Sequence, residues 1–175
     1  MATQLREALK NMGTHNVAEI NSIWARPIAN GAILEGGNLD NGALVELSGR
    51  DTEGNLKCKA YTGTGEFYIL HSVVEDQLLV DMGETDYKCF FNKEGEIVRL
   101  FIKEKGLNME TSNYEVKEGA TLALDAPILW DTTKKKYIVV KSDDTDVAKA
   151  VATVNGIDTD FGYNADITTI RIQFK

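Results

Sequence analysis

The chain has 175 residues, 43% of them hydrophobic and 26% charged, so a fibre, a low-complexity tail or a miniprotein that needs a metal or disulfide to fold is not expected. Lys plus Arg is 19 against 27 Asp plus Glu, a formal net charge of −8, which repels phosphate and disfavours sequence-independent nucleic-acid binding. The apolar runs are a few residues long where a membrane helix needs ~20, and no basic segment followed by an apolar block opens the chain, so neither a membrane protein nor an exported one is expected.

Taken in chain order, residues 3–12 place Leu5, Ala8, Leu9 and Met12 at i, i+3, i+4 and i+7, which predicts a helix capped by Thr3 and ended at Gly13. So short a helix is marginal alone, and residues 1–25 read as an arm that orders against a neighbouring subunit or partner, ahead of a β domain over 26–175. After residue 23 the helical period stops, and 15 glycines against 2 prolines punctuate segments of strand length. Ala32–Glu35 and Ala43–Leu47 each follow an Asn-Gly pair, Asn30-Gly31 and Asn41-Gly42, the commonest hairpin signal. Leu56–Tyr61 and Glu66–His71 follow as strands. Tyr87–Phe91 and Glu96–Lys103, joined by Asn92-Lys93-Glu94-Gly95, predict a further hairpin.

Downstream, Ile128–Trp130, Tyr137–Lys141 and Val147–Val154 read as strands. In the last of these Ala148, Ala150 and Ala152 alternate with Lys149, Val151 and Thr153, a pattern that suits a tight barrel interior. At the C-terminus Ile170, Ile172 and Phe174 alternate with Thr169, Arg171 and Gln173. Ile167 falls on the wrong parity, which predicts a bulge or bend near Thr168. About ten strands result. The expected fold is mainly β: a compact antiparallel β-barrel or sandwich with hairpin insertions and a short N-terminal helix or arm, with residues 50–110 open to reading as a separate inserted lobe.

No chemistry emerges from residue type and spacing. Cys58 and Cys89 lie in β-like runs and read as reduced thiols; a disulfide between them is unneeded at this size. A zinc site would have to recruit His15 and His71 without any close CxxC or HxxxH pair. A nucleophilic triad needs a histidine beside a nucleophile, but His15 falls in a loop and His71 and Ser72 point to opposite faces of an extended chain. The carboxylate clusters Glu75-Asp76, Asp143-Asp144 with Asp146, and Asp158 with Asp160 read as solvated loop charge. Asp144-Thr145-Asp146 lacks the glycine of a calcium loop, and Asp158-Thr159-Asp160-Phe161-Gly162 lacks its bidentate glutamate. Gly63-Thr64-Gly65 lacks the third glycine of a phosphate loop and leads into a strand. Lys134-Lys135-Lys136 reads as a hairpin tip, and Trp24 and Trp130 as packing residues or a sugar platform. No catalytic, cofactor-binding or metal-binding residue is therefore predicted, no cofactor is implied, and a protein that acts through its surface is expected.

Asn16-Val17-Ala18-Glu19-Ile20, then Arg26-Pro27-Ile28-Ala29-Asn30-Gly31-Ala32 and Asn41-Gly42-Ala43-Leu44-Val45, resemble small virion proteins of tailed bacteriophages, the capsid decoration or cement proteins and related head structural proteins. The segment from Gly119-Ala120 through Trp130 and Tyr137–Val140, ahead of the strand ending at Phe174, fits the compact β ending of such proteins, whereas Thr52–Asn113 has no counterpart. The resemblance implies a non-enzymatic structural protein on the capsid exterior, assembled in the host cytoplasm. It implies the major capsid protein as partner, a homo-oligomeric state with a trimer favoured, and neither nucleic acid nor membrane as a partner. The alternatives are a tail or fibre β-sandwich that binds a receptor or glycan, and a small hydrolase built on a carboxylate pair.

Overall fold

The computed structural model describes residues 15–73, 90–158 and 168–175. The expected helix over residues 3–12, Glu75-Asp76, Cys89, Asp160 and Ile167 lie outside the described residues, as does most of the expected strand Tyr87–Phe91. Among the described residues the chain is mainly β, with thirteen strands in two sheets.

The first sheet takes β1 (Ala18–Ile20), β8 (Asn108–Thr111), β9 (Tyr114–Val116), β10 (Pro127–Asp131), β11 (Lys136–Val139), β12 (Ala152–Asp158) and β13 (Thr169–Phe174), in the order β1-β8-β13-β12-β10-β11-β9. The second takes β2 (Ala32–Leu34), β3 (Leu44–Arg50), β4 (Leu56–Ala60), β5 (Tyr68–Leu70), β6 (Ile97–Val98) and β7 (Leu100–Ile102), in the order β6-β2-β4-β3-β5-β7. β6 and β7 stand at opposite ends of that order yet are consecutive in the chain, broken only at Arg99. The run 97–102 therefore lends its first half to β2 and its second half to β5, and the sheet curls back on itself.

This curl decides which faces are dry. Alternation in β13 puts Ile170, Ile172 and Phe174 in the core between the sheets and leaves Arg171 and Gln173 half-buried on the other face. Where β3, β5 and β7 pair in the second sheet, both faces are covered: Leu44, Ile69 and Phe101 enter the inter-sheet core, while their neighbours Val45, Leu70 and Leu100 enter a second core with Ala32, Leu34, Cys58 and Val98. Doubly covered strands read as apolar pairs, not as alternation.

The expectation of an all-antiparallel arrangement is corrected, because β2 pairs with β4 and β11 pairs with β9 in parallel. Neither Asn-Gly pair closes a hairpin. Asn30 and Gly31 have φ of 62° and 64°, the sense of a type I′ turn, but β2 pairs with β4 and β6, and β4 separates it from β3. The turn over residues 93–96 forms, with the Glu96 N–H donating to the Lys93 carbonyl at 3.2 Å. Its arms, however, pair elsewhere: β6 with β2, and Asn92 with Leu39. Val147–Val154 is not one strand. Val147–Lys149 is a 3-10 turn, Ala148 is exposed, and only Ala152 of the three alanines is fully buried. Lys149 is held to Asp146 at 2.8 Å, and alanine and lysine spaced by two are as compatible with a helical turn as with a strand. The irregularity along the β12–β13 pair falls on β12, between Val154 and Gly156.

Both Asn-Gly pairs serve as junctions instead. The Asn41 side chain accepts from the Ser72 N–H (2.9 Å) and the Asn92 amide (3.0 Å) and donates to the Ser72 carbonyl (2.9 Å). Gly42, at φ 83°, presses against β1, and its carbonyl accepts the buried Tyr137 hydroxyl at 2.7 Å. A Cβ at Gly31 would stand 2.3 Å from the Val98 carbonyl oxygen, so the turn entering β2 is closed to any side chain.

Candidate functional site

The residues with chemical potential are used for structure. His15 is fixed where a flexible loop was expected: Nδ1 lies 2.8 Å from the Asp40 carboxylate and the ring packs on Phe91 at 4.6 Å. His71 lies edge-on to Phe101, with Nε2 3.6 Å from Glu19, while the Ser72 hydroxyl turns to accept the Arg99 N–H at 3.2 Å. They do not form a nucleophile and base. The Lys117 ammonium at 2.6 Å and the Asp146 N–H at 3.0 Å hold the Asp144 carboxyl below its usual range. Lys134 pairs with Glu115 at the tip of the β10–β11 hairpin. Gly63-Thr64-Gly65 leads into β5, and the Gly65 carbonyl is occupied by the Tyr61 hydroxyl at 3.2 Å. Cys58 is a buried free thiol, and burial with Glu35 nearby pushes its pKa to about 12. Among the described residues no three His, Cys, Asp or Glu side chains converge as a metal site.

One concavity of about 350 Å³ is lined by Glu46, Leu47, Thr62, Thr64, Glu66 and Tyr68. Partial burial works to raise the Glu46 pKa. The Thr62 N–H (3.0 Å) and hydroxyl (2.8 Å) and the Lys59 ammonium outweigh it and hold the carboxyl below its ordinary value. A catalytic acid requires the opposite shift, so Glu46 is placed to accept hydrogen bonds from the turn.

The surface feature that stands apart lies between β1 and β2. Asn21 is tied to β8 through its N–H to the Asn108 carbonyl at 3.0 Å. The Ala25 N–H closes a turn on the Ser22 carbonyl at 3.2 Å, and Ala25 packs on the inter-sheet core. Arg26 pairs with Glu104, the Ile102 N–H donates to the Arg26 carbonyl at 2.9 Å, and the Ile28 N–H donates to the Leu100 carbonyl at 2.9 Å. With both flanks anchored, Ile23 and Trp24 project as a tip, 90% and 79% exposed. Trp130, by contrast, packs edge-on to Tyr137 at 4.9 Å and borders both cores. Large rigid apolar side chains held in water are the usual anchors of protein contacts.

A groove of about 300 Å³ is lined by Ile28, Ile33, Leu56 and Ile97 together with Arg50 and Asn55. Ile97 is 67% exposed, and the Arg50 guanidinium is fixed by donation to the Gly54 carbonyl at 2.6 Å. Sequence reasoning singled out Trp24 but not Ile23 or the groove. The apolar run Ile23-Trp24-Ala25 between Ser22 and Arg26 is a usable signal, whereas the groove joins residues up to 69 positions apart and leaves no local trace.

Residues 11–175 match the family described as YonC prophage protein. This chain belongs to that family. It is 32% identical over 142 residues to the SPbeta prophage-derived uncharacterized protein YonC of Bacillus subtilis (strain 168), a match that covers 79% of this chain and 76% of that protein. No solved structure matches. The YonC family match takes in the described body and the Asn-Val-Ala-Glu-Ile stretch, and it makes this a phage-associated protein.

Proposed function

We propose that the protein is a non-enzymatic structural component of a phage particle, attached to the outer capsid surface as a decoration or cement protein with the major capsid protein as its partner. The observation that carries this reading is the clamp at the start of β1. The Asp40 carboxylate takes His15, the Asn16 N–H (2.8 Å) and the Asn16 side-chain amide (2.7 Å). The Val17 N–H donates to the Ser112 hydroxyl at 3.0 Å, and the Val17 carbonyl accepts from the Thr111 hydroxyl and the Ser112 N–H, each at 3.0 Å. Residues 15–20 thus belong to the body, and residues 1–14 precede them in the sequence. Their stripe of Leu5, Ala8, Leu9 and Met12 suits a segment whose ordering cost is offset by docking on another surface. Membership of a prophage family supports a phage partner, and a net charge of −8 suits a surface kept apart from packaged DNA. Trp24 is flanked by Ile23 and Ala25 and not by side-chain hydrogen-bond formers, which favours a protein contact over a sugar platform.

Removing residues 2–14 and cosedimenting the product with purified capsids of its own phage tests the reading. The truncated chain should keep the melting temperature of the body and lose capsid affinity about tenfold or more, a loss of ~1.4 kcal/mol. Undiminished binding contradicts the proposal. A cut at residue 25 would remove β1 and confuse attachment with folding.

A further inference from the structure

We propose that Asn30 is a site of covalent self-modification, where the chain converts its own asparagine to aspartate and isoaspartate through attack of the Gly31 nitrogen on the Asn30 side chain. The inference is independent of the capsid reading. Asn-Gly occurs at 30-31, 41-42 and 155-156, and the fold treats the three pairs differently. Asn41 is 3% exposed. Its side-chain carbonyl is held by the Ser72 N–H and the Asn92 amide, its amide by the Ser72 carbonyl, and the Gly42 N–H donates to the Leu70 carbonyl at 2.7 Å. Both atoms that would react are fixed in other bonds. Asn155 lies within β12, where its amide donates to the Asn108 side chain at 3.0 Å and the next residue, Gly156, pairs with Arg171 of β13. Asn30 is exposed and outside any strand, and among the described residues neither its side chain nor the Gly31 N–H has a hydrogen-bond partner.

The reacting atoms belong to adjacent residues, so the step is intramolecular and its co-reactant is water alone. Hydroxide removes the Gly31 amide proton, and the nitrogen bonds to the carbonyl carbon of the Asn30 side chain. The carbon–nitrogen bond of the carboxamide breaks, and ammonia leaves with a proton taken from water. One water then opens the five-membered imide. Addition at the side-chain carbonyl gives aspartate, and addition at the main-chain carbonyl gives isoaspartate, with no change of oxidation state. Gly31 has no Cβ to shield its nitrogen from the approach. Isoaspartate routes the main chain through one extra carbon and leaves a carboxylate at the turn. The turn has no slack on its inner side: a Cβ at Gly31 would overlap the Val98 carbonyl oxygen, and Ala32 and Ile33 pair directly with Val98 and Ile97. The lengthened turn therefore loosens β2 from β6, and the age of the molecule is recorded at one end of the second sheet.

The test is peptide mapping by mass spectrometry of the full chain aged at neutral and mildly alkaline pH in water labelled with heavy oxygen, so that only conversion during ageing carries the label. Asn30 should become a mixture of aspartate and isoaspartate at least about tenfold faster than Asn41, whose reaction waits on local opening. It should also run ahead of Asn155 and quicken at the higher pH. In denaturing urea the three sites should convert at similar rates, because the fold is what separates them. Asn30→Gly, which accepts the φ of 62° at this position, should keep the fold and show no conversion there. In the separated isoaspartate form the Leu34 and Gly95 amides, which donate to Glu96 and Leu34, should exchange with solvent several-fold faster than in the unaged chain. An Asn30 that stays intact in the folded chain while it converts in urea, or an Asn41 that converts as fast as Asn30, would overturn the proposal. Unchanged exchange at Leu34 and Gly95 would overturn its effect on the sheet.

Discussion

Phe174→Ala should lower the unfolding free energy by about 3–5 kcal/mol, the range for emptying an aromatic site in a core that does not close. Phe174 is 1% exposed. Its ring lies 6.3 Å from Phe67, which leads into the second sheet, and 6.4 Å from Tyr137 of the first, so it bridges the two layers. Its cross-strand partner is Ala152, too small to fill the space. The backbone is also held: the Phe174 N–H donates to the Leu107 carbonyl and its own carbonyl accepts from the Gly106 N–H, each at 2.9 Å. With β13 pinned between β12 and β8, neither sheet can move into the void. Urea unfolding should show the lower midpoint, and the melting temperature should fall by roughly 6–20 °C. Gln173→Ala, one residue away on the outward side, should change stability by less than about 0.5 kcal/mol.

Gly42→Ala should cost about 3 kcal/mol, for two separable reasons. The residue sits at φ 83°, where a side chain carries a penalty of ~1–2 kcal/mol. The new methyl would also stand 2.6 Å from the Ala18 Cβ, with Met109 on its other flank at 3.4 Å. Relief of that overlap moves β1 or the turn, and the turn carbonyl is the acceptor of the buried Tyr137 hydroxyl. Adding Ala18→Gly removes the clashing atom while leaving the backbone strain. The double variant should therefore be more stable than the sum of the two single changes predicts, by ~1 kcal/mol or more in a thermal or urea double-mutant cycle. Strict additivity would mean that β1 does not press on this turn.

How far the fold was legible depends on how many of its faces meet water. β13 declared itself because one side packs on the inter-sheet core and the other does not, so alternation survives in Ile170, Ile172 and Phe174. Where β3, β5 and β7 pair, the second sheet is covered on both faces, and Leu44-Val45, Ile69-Leu70 and Leu100-Phe101 read as apolar pairs without a period. Strand existence could be read there, but partners could not. Asn30-Gly31 adopts the turn its residue types favour, yet turn chemistry sets local dihedrals and does not choose among distant strands. β2 pairs with β6, more than sixty residues on, and with β4 in parallel. The stretch after Asp146 misled for a different reason. Alanines spaced by two signal a strand only if the intervening residues face water, and the 3-10 turn over Val147–Lys149 exposes Ala148 instead.

The same distinction governs the surface. Trp24 was visible as an aromatic of uncertain use, and only the anchors at Asn21, Arg26 and Ile28 show why it must point outward. The His15 clamp on Asp40 was out of reach for the reason that hid the sheet partners, a contact across 25 residues. The motif Asn16–Ile20 carries structural information: Asn16 binds Asp40, Val17 binds Ser112, and Ala18 meets Gly42.

The most direct measurement is the protein content of particles purified on a density gradient after nuclease treatment, with the outer surface probed by protease before and after the capsids are opened. A decoration role requires this chain in fixed ratio to the major capsid protein and cleaved from intact particles. Particles that lack the chain, or that release it to protease only once opened, would contradict its placement on the capsid exterior.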